Sequence, residues 1–281
     1  MEKENHELLS QSEWRFVDHS TVQLAFDAIQ SFATDDTLCY SVGSHLAPPT
    51  LRAWVHEKTI SLGIQDSKLP HIAEGIAYLQ KEGYRVVVRN SGGLAVVLDK
   101  EVLNLSMILP DVERGIAIER GYEAMFALVK EMFAAETDRI EAKEIKHSYC
   151  PGSFDLSIDD KKFAGISQRR MAKGVAVQIY LGVAGNQQAR SELIRTFYQI
   201  SGSKEQTKYE YPEVDPNVMG TLSELLGEPL DINAVLIKLL QTIHTYAGKL
   251  TSSPLNVAEL DQFPAYYERL IKRNEKVLEN L

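Results

Sequence analysis

Apolar residues recur at helical spacing over residues 18–34 (DHSTVQLAFDAIQSFAT), which predicts an early amphipathic helix ending at the acidic pair Asp35-Asp36. The short runs 51–54 (LRAW) and 59–64 (TISLGI) have strand character, and the polar residues between them predict a hairpin turning through His56–Lys58. Residues 70–82 return to helical spacing, with Pro70 suited to a first turn. The β-branched run 84–89 (YRVVVR), the run 94–98 (LAVVL) and the run 103–108 (LNLSMI) read as three buried strands. A long helical pattern covers 113–135, with an irregular start. Strand patterns follow at 154–158, 163–167 and 175–183, and Asp159-Asp160-Lys161-Lys162 carries the turn chemistry that joins the first two. Helical spacing resumes at 187–200 and, after a polar stretch at 203–220 that reads as a loop, at 222–226, 232–247 and 266–278. Helices mixed with mostly hairpin-linked strands define an α+β, or mixed α/β, architecture of mostly antiparallel or mixed sheets flanked by helices.

Composition narrows the function classes. At 281 residues, 44% hydrophobic and 25% charged, the chain can bury a sizeable core without staples. A net charge of −9 argues against a nucleic-acid partner, which requires a basic surface. Two cysteines, Cys39 and Cys150, make no disulfide framework. The first ten residues are polar, and no apolar run approaches the roughly 20 residues that span a bilayer. The expectation is a cytoplasmic protein with no membrane partner. The seven histidines show no metal-ligand spacing, and no phosphate-binding loop is present, so neither a metal nor a cofactor is expected.

Three groups of residues carry candidate chemistry. Arg89-Asn90-Ser91-Gly92-Gly93 lies between two apolar runs; the paired glycines make either a tight strand connection or a loop that brings backbone N–H groups close to a ligand. Cys150 is flanked by Tyr149 and by the breakers Pro151-Gly152-Ser153, a loop setting, whereas Cys39 sits among apolar neighbours as a structural cysteine does. Lys162 follows Cys150 by 12 residues, at the return of the expected hairpin. It is either a solvated turn lysine or a cation beside the thiol, favouring the thiolate and shuttling a proton. Lys161, Lys162, Arg169, Arg170 and Lys173 form a dense basic cluster, either a solvated hairpin surface or a steering patch for an acidic partner.

These pieces, in this order, resemble the catalytic domain of the biotin/lipoate protein ligase and octanoyltransferase superfamily. The resemblance runs from about Trp14 to about Ala247. It rests on Leu51-Arg52-Ala53-Trp54 with Thr59 to Gly63, on Arg89 to Gly93 with Asp99 and Asn104-Leu105-Ser106, on Lys162-Phe163-Ala164-Gly165-Ile166-Ser167-Gln168, and on Leu222 to Leu226. It implies one catalytic domain over residues 13–250 and a helical tail over 251–281. ATP-using ligases of the superfamily carry a double arginine, a third glycine and a His-Asp pair in the ligand loop, where this chain has Val88-Arg89, Gly92-Gly93-Leu94 and Leu98-Asp99. Cys150 also stands where the cysteine-dependent octanoyltransferases carry their nucleophile.

The resemblance therefore implies transfer of an octanoyl group from the glycine cleavage H protein to the lysine of lipoyl domains in the E2 subunits of 2-oxoacid dehydrogenases. Cys150 would be the acyl acceptor and Lys162 its partner. Arg89, Ser91, Gly92, Gly93, Gly165, Ile166 and Ser167 would bind substrate, and Val86, Val88, Val96 and Ile166 would line an acyl tunnel. An acyl carrier protein donor, an ATP-dependent lipoate ligase and a non-catalytic module that docks lipoyl domains are the alternatives.

Overall fold

The computed structural model describes residues 6–21, 27–111, 115–203 and 210–278. Within them, β1 (Trp14–His19), β2 (Thr50–Trp54), β6 (Val102–Pro110), β7 (Glu141–Ala142), β8 (Asp155–Ile158), β9 (Lys161–Met171), β10 (Gly174–Gly182) and β11 (Leu250–Ser252) form one mixed sheet in the order β11-β1-β2-β6-β10-β9-β8-β7. β3 (Thr59–Leu62), β4 (Arg85–Val88) and β5 (Val96–Leu98) form a second sheet with β3 central. The helices are α1 (Ala28–Gly43), α2 (Ile72–Lys81), α3 (Ile118–Met132), α4 (Gln187–Ser201), α5 (Leu222–Leu226), α6 (Ile232–Tyr246) and α7 (Val257–Leu278). The architecture is the expected mixed one.

Strand alternation explains the layers, because successive side chains leave opposite faces of a sheet. Leu103, Leu105, Met107 and Leu109 of β6 and Val175, Val177, Ile179 and Leu181 of β10 share one core with Leu128 and Val129 of α3 and Leu236 and Leu239 of α6. The opposite face of the same strands carries Asn104, Ser106, Gln178 and Tyr180, and α1 and the small sheet lie over it. A sheet buried on both faces with polar side chains on one of them has a reason to keep those groups there.

Several expectations change in the structure. Residues 51–64 are not a hairpin: β2 pairs with β1 in parallel and with β6 antiparallel, while β3 joins β4 and β5 in the other sheet. The chain between β2 and β3 crosses from one sheet to the other. β3 and β4 are parallel and therefore need a crossover, which α2 provides. The early helix begins at Ala28 rather than near 18, where β1 runs instead; residues 22–26 of that expectation lie outside the described residues, as do 113–114 and 204–209 of two others. Asp35 and Asp36, read as a break, sit inside α1 and are buried. Asp35 answers the fully buried Arg52 at 2.8 Å and accepts from Ser106 Oγ and Gln178 Nε2, while Asp36 takes Arg169 at 2.7 Å and Asn90 at 3.0 Å. Partners from distant strands keep these charges in a helix that local pattern would end.

The last helix starts at Val257 and continues through Pro264. Asn256 and Glu259 form a reciprocal cap at its start, at 2.8 and 2.9 Å. Arg15 holds Glu259 through two bonds of 2.9 and 2.7 Å, and Asn274 brackets the Val88 peptide at 2.8 and 3.0 Å. These bonds tie α7 to both sheets. Glu259→Ala leaves Arg15 buried without its carboxylate, and urea unfolding should show a loss of about 3 kcal/mol. An unchanged midpoint would mean that apolar packing alone seats the helix.

Candidate active site

The polar face of the large sheet presents its side chains in two rows set by strand register. Trp54, Asn104, Tyr180, Gly165 and Asp155 are successive partners across β2, β6, β10, β9 and β8. Arg52, Ser106, Gln178 and Ser167 make the neighbouring row. Between these rows and the small sheet lies a cavity of about 270 Å³, whose walls include Phe32, Trp54, Val96, Leu98, Ile166, Ile179 and Tyr180. Ser91, Gly92 and Gly93 and the segment Cys150–Asp155 also line it.

The cysteine enters this cavity in a strained conformation. Cys150 has φ +52°, the left-handed region that a non-glycine residue occupies at a cost and that clusters at functional sites. Its Sγ accepts the Leu94 N–H at 3.1 Å and lies 3.8 Å from Arg89 Nη2. Gly93 (φ +94°) makes that approach feasible, since a Cβ there would stand 2.8 Å from the sulfur and 2.6 Å from Arg89 Nη2. Arg89 itself clamps the loop: its guanidinium donates to the carbonyls of Gly92, Ser61 and Leu94 at 2.9, 2.8 and 2.7 Å.

Lys162 is fully buried, not solvated. One extra residue on β9, at Phe163, opposes β8 without a partner of its own. This bulge turns Phe163 and Ala164 into the apolar core and leaves Lys162 and Gly165 on the cavity side, although an odd spacing would otherwise separate them. Lys162 Nζ pairs with Asp155 Oδ1 at 2.8 Å and donates to Cys150 O, Tyr149 O and Ser148 Oγ at 2.6, 3.1 and 3.3 Å. The lysine thus reaches the cysteine through its carbonyl oxygen, and the sulfur takes its donor from Leu94. Asp155 Oδ2 accepts from the Gly152 and Ile145 N–H groups, each at 3.2 Å, so one ion pair ties down the segment on both sides of Cys150. Burial pushes the Asp155 carboxyl up, and Lys162 opposes that shift. Burial, followed by Asp35 and Asp36, pushes the Cys39 thiol far up and keeps it protonated.

Ser91, Gly92, Gly93, Gly165, Ile166 and Ser167 all line the cavity together with Arg89, so the residues singled out from sequence converge. Of the expected tunnel residues, Val96 and Ile166 are in the wall. Val88 is buried in the core, and neither it nor Val86 reaches the cavity. In β4 their side chains pack within the small sheet's own core. In the basic cluster, Lys162 pairs with Asp155, Arg169 with Asp36 and Arg170 with Asp111 at 3.1 Å, while Lys161 and Lys173 are exposed. Asp155, Tyr180 and Gln178 escaped sequence reasoning, and Leu94 was singled out as a loop variant without its N–H being foreseen as the sulfur's donor. The alternation of polar with apolar residues in 102–109 and 174–182 was the available signal for Tyr180 and Gln178.

The scan against family models matches residues 27–244 to the lipoyl protein ligase A/B catalytic domain. A curated relative from Listeria monocytogenes serovar 1/2a, named lipoyl-[GcvH]:protein N-lipoyltransferase, is 69% identical over 96% of this chain and 98% of its own. The chain belongs to the lipoyl protein ligase A/B catalytic domain family. Another relative, from Geobacillus kaustophilus, is named octanoyl-[GcvH]:protein N-octanoyltransferase and is 55% identical over 98% of this chain and 97% of its own. Among solved structures, a lipoate-protein ligase A with bound ATP superposes with a TM-score of 0.72 at 15% identity, over 96% of this chain and all of that one. That likeness is one of fold. In this family member the segments on either side of the cavity's glycine pair rest on a buried carboxyl. Asp66 accepts from Gly63 N–H at 2.7 Å and from Tyr198 OH at 2.9 Å, and Tyr198 OH accepts from Ala95 N–H.

Burial pushes Asp66 up to about 6 despite those donors. Because its folded value exceeds the unfolded one, its contribution to stability is present below about pH 4 and lost as pH rises through 6. The stability of the wild type minus that of Asp66→Asn should therefore fall by about 2 kcal/mol between about pH 4 and about pH 7.5 in urea melts. A difference that stays flat across that window would mean an ordinary carboxylate.

Proposed function

We propose that this chain is a cytoplasmic acyltransferase, independent of ATP and of any cofactor. It moves an octanoyl group from the glycine cleavage H protein to the lysine of lipoyl domains in 2-oxoacid dehydrogenases, with Cys150 as covalent acceptor. The observation that carries this reading is the Cys150 sulfur at the wall of an apolar cavity, fixed by the Leu94 N–H at 3.1 Å with the Arg89 guanidinium beside it. The near full-length likeness to relatives named for this transfer supports it. In the first step the sulfur attacks the acyl carbonyl of the donor amide, the carbon–nitrogen bond breaks, and the thiol proton ends on the released amine. In the second, the acceptor amine attacks the thioester and returns a proton to the sulfur. One amide is exchanged for another, which needs no ATP.

Lys162, committed to Asp155 and to the 148–150 segment, holds the cysteine's peptide; a proton relay through it requires one of those bonds to open. A cavity that takes eight carbons gains about 0.8 kcal/mol for each buried methylene. The lipoyl group is a second acyl cargo for the same site, favoured by the name of the 69% identical relative and by the polar row beside the apolar walls.

Incubation with octanoylated H protein, without ATP, should give an octanoyl adduct in the intact mass that maps to Cys150, is cleaved by hydroxylamine and is absent from Cys150→Ser. An adduct obtained only with octanoyl-acyl carrier protein would replace the donor. No adduct with either, and loading of free octanoate only with ATP, would replace the transferase by a ligase. Lys162→Met should lose adduct formation and also about 3 kcal/mol of stability from the stranded Asp155. The double variant with Asp155→Asn should recover stability, read by urea melts, but not acylation.

A further inference from the structure

We propose that the Tyr180 hydroxyl is the donor that stabilises the oxyanion formed when Cys150 is acylated and deacylated. The inference rests on the acyl-transfer reading above and assigns a group to a step that reading leaves without one. Tyr180 is 7% exposed, lies in the cavity wall, and its hydroxyl is buried with no hydrogen-bond partner among the described residues. A buried hydroxyl without a partner is uncommon in a folded protein, and one carried by a ring that lines a cavity points to a bond made only when ligand is present.

The surroundings fix the ring. Tyr149, the residue before Cys150, stacks on it with centroids 6.1 Å apart, and Lys162 Nζ stands 5.9 Å from its centroid while bonding Cys150 O at 2.6 Å. Its sheet neighbour is Gly165, where a Cβ would lie 2.7 Å from the ring edge, so glycine is what lets the ring lie flat across β9. Burial, reinforced by Tyr149 and Cys150, holds the phenol far above its ordinary range, so it keeps its proton and remains a donor. When Sγ forms its bond to the acyl carbon, the carbonyl π pair moves to oxygen. Tyr180 O–H hydrogen-bonds that oxygen without transferring its proton, and the pair returns as the carbon–nitrogen bond breaks.

Tyr180→Phe keeps the ring, its stacking and the cover over Gly165, and removes only the hydroxyl. Single-turnover acylation by saturating octanoylated H protein should slow on the order of 100-fold, the usual effect of losing one oxyanion donor. Alkylation of Cys150 by iodoacetamide, which passes through no oxyanion, should keep its wild-type rate, and the melting temperature should not fall. Equal acylation rates for Tyr180→Phe and a wild type that forms the adduct would overturn the proposal and leave the transferase reading standing. Equal losses in acylation and alkylation would also overturn it, showing that Tyr180 acts on the thiol. A wild type that forms no adduct would instead overturn the underlying function.

Discussion

The ammonium of Lys162 is removed from water entirely, and a charge in that position has to be answered by oxygens on every side. Asp155 supplies the countercharge, and Ser148, Tyr149 and Cys150 supply the rest, so the segment that carries the cysteine folds around the lysine. Cys150 takes its left-handed backbone within this arrangement, with its carbonyl on Nζ and its side chain at the cavity. The bulge at Phe163 belongs to the same arrangement: without it the lysine would enter the apolar core.

A second clamp faces the first across the cavity. Arg89 gathers the carbonyls of Gly92 and Leu94 and that of Ser61 in β3, beside the Leu94 N–H that the sulfur accepts. The two clamps come from different sheets, so the geometry at Cys150 depends on how the small sheet sits on the large one. α7, with α1 and the buried pair Arg15–Glu259, holds that relation.

The surroundings of the cavity carry an energetic cost. Asp35, Asp36, Asp66, Gln178 and Tyr180 are polar groups in places where aliphatic side chains would pack and stabilise more simply. Most are satisfied by partners across the site; Tyr180 is not. Such groups, gathered with a strained cysteine around one cavity, are the trade of stability for function that the proposed activity would explain.

Much of the strand and helix content was legible because burial imposes its own period on the sequence, as in 102–109 and 174–182. The loop chemistry of Gly92-Gly93 and the loop setting of Cys150 were legible for the same local reason, and the resemblance carried by Arg89 to Gly93 and Lys162 to Gln168 joined them into one site. What local pattern does not encode is which element answers which. The pairing of β2 with β1 and β6 rather than β3, the burial of Asp35 and Asp36 inside a helix, and Lys162 bonded to a carbonyl rather than to the sulfur depend on residues more than ten positions away. Those contacts are decided by tertiary packing, because the free energy of a buried charge is set by partners that only the folded chain brings together.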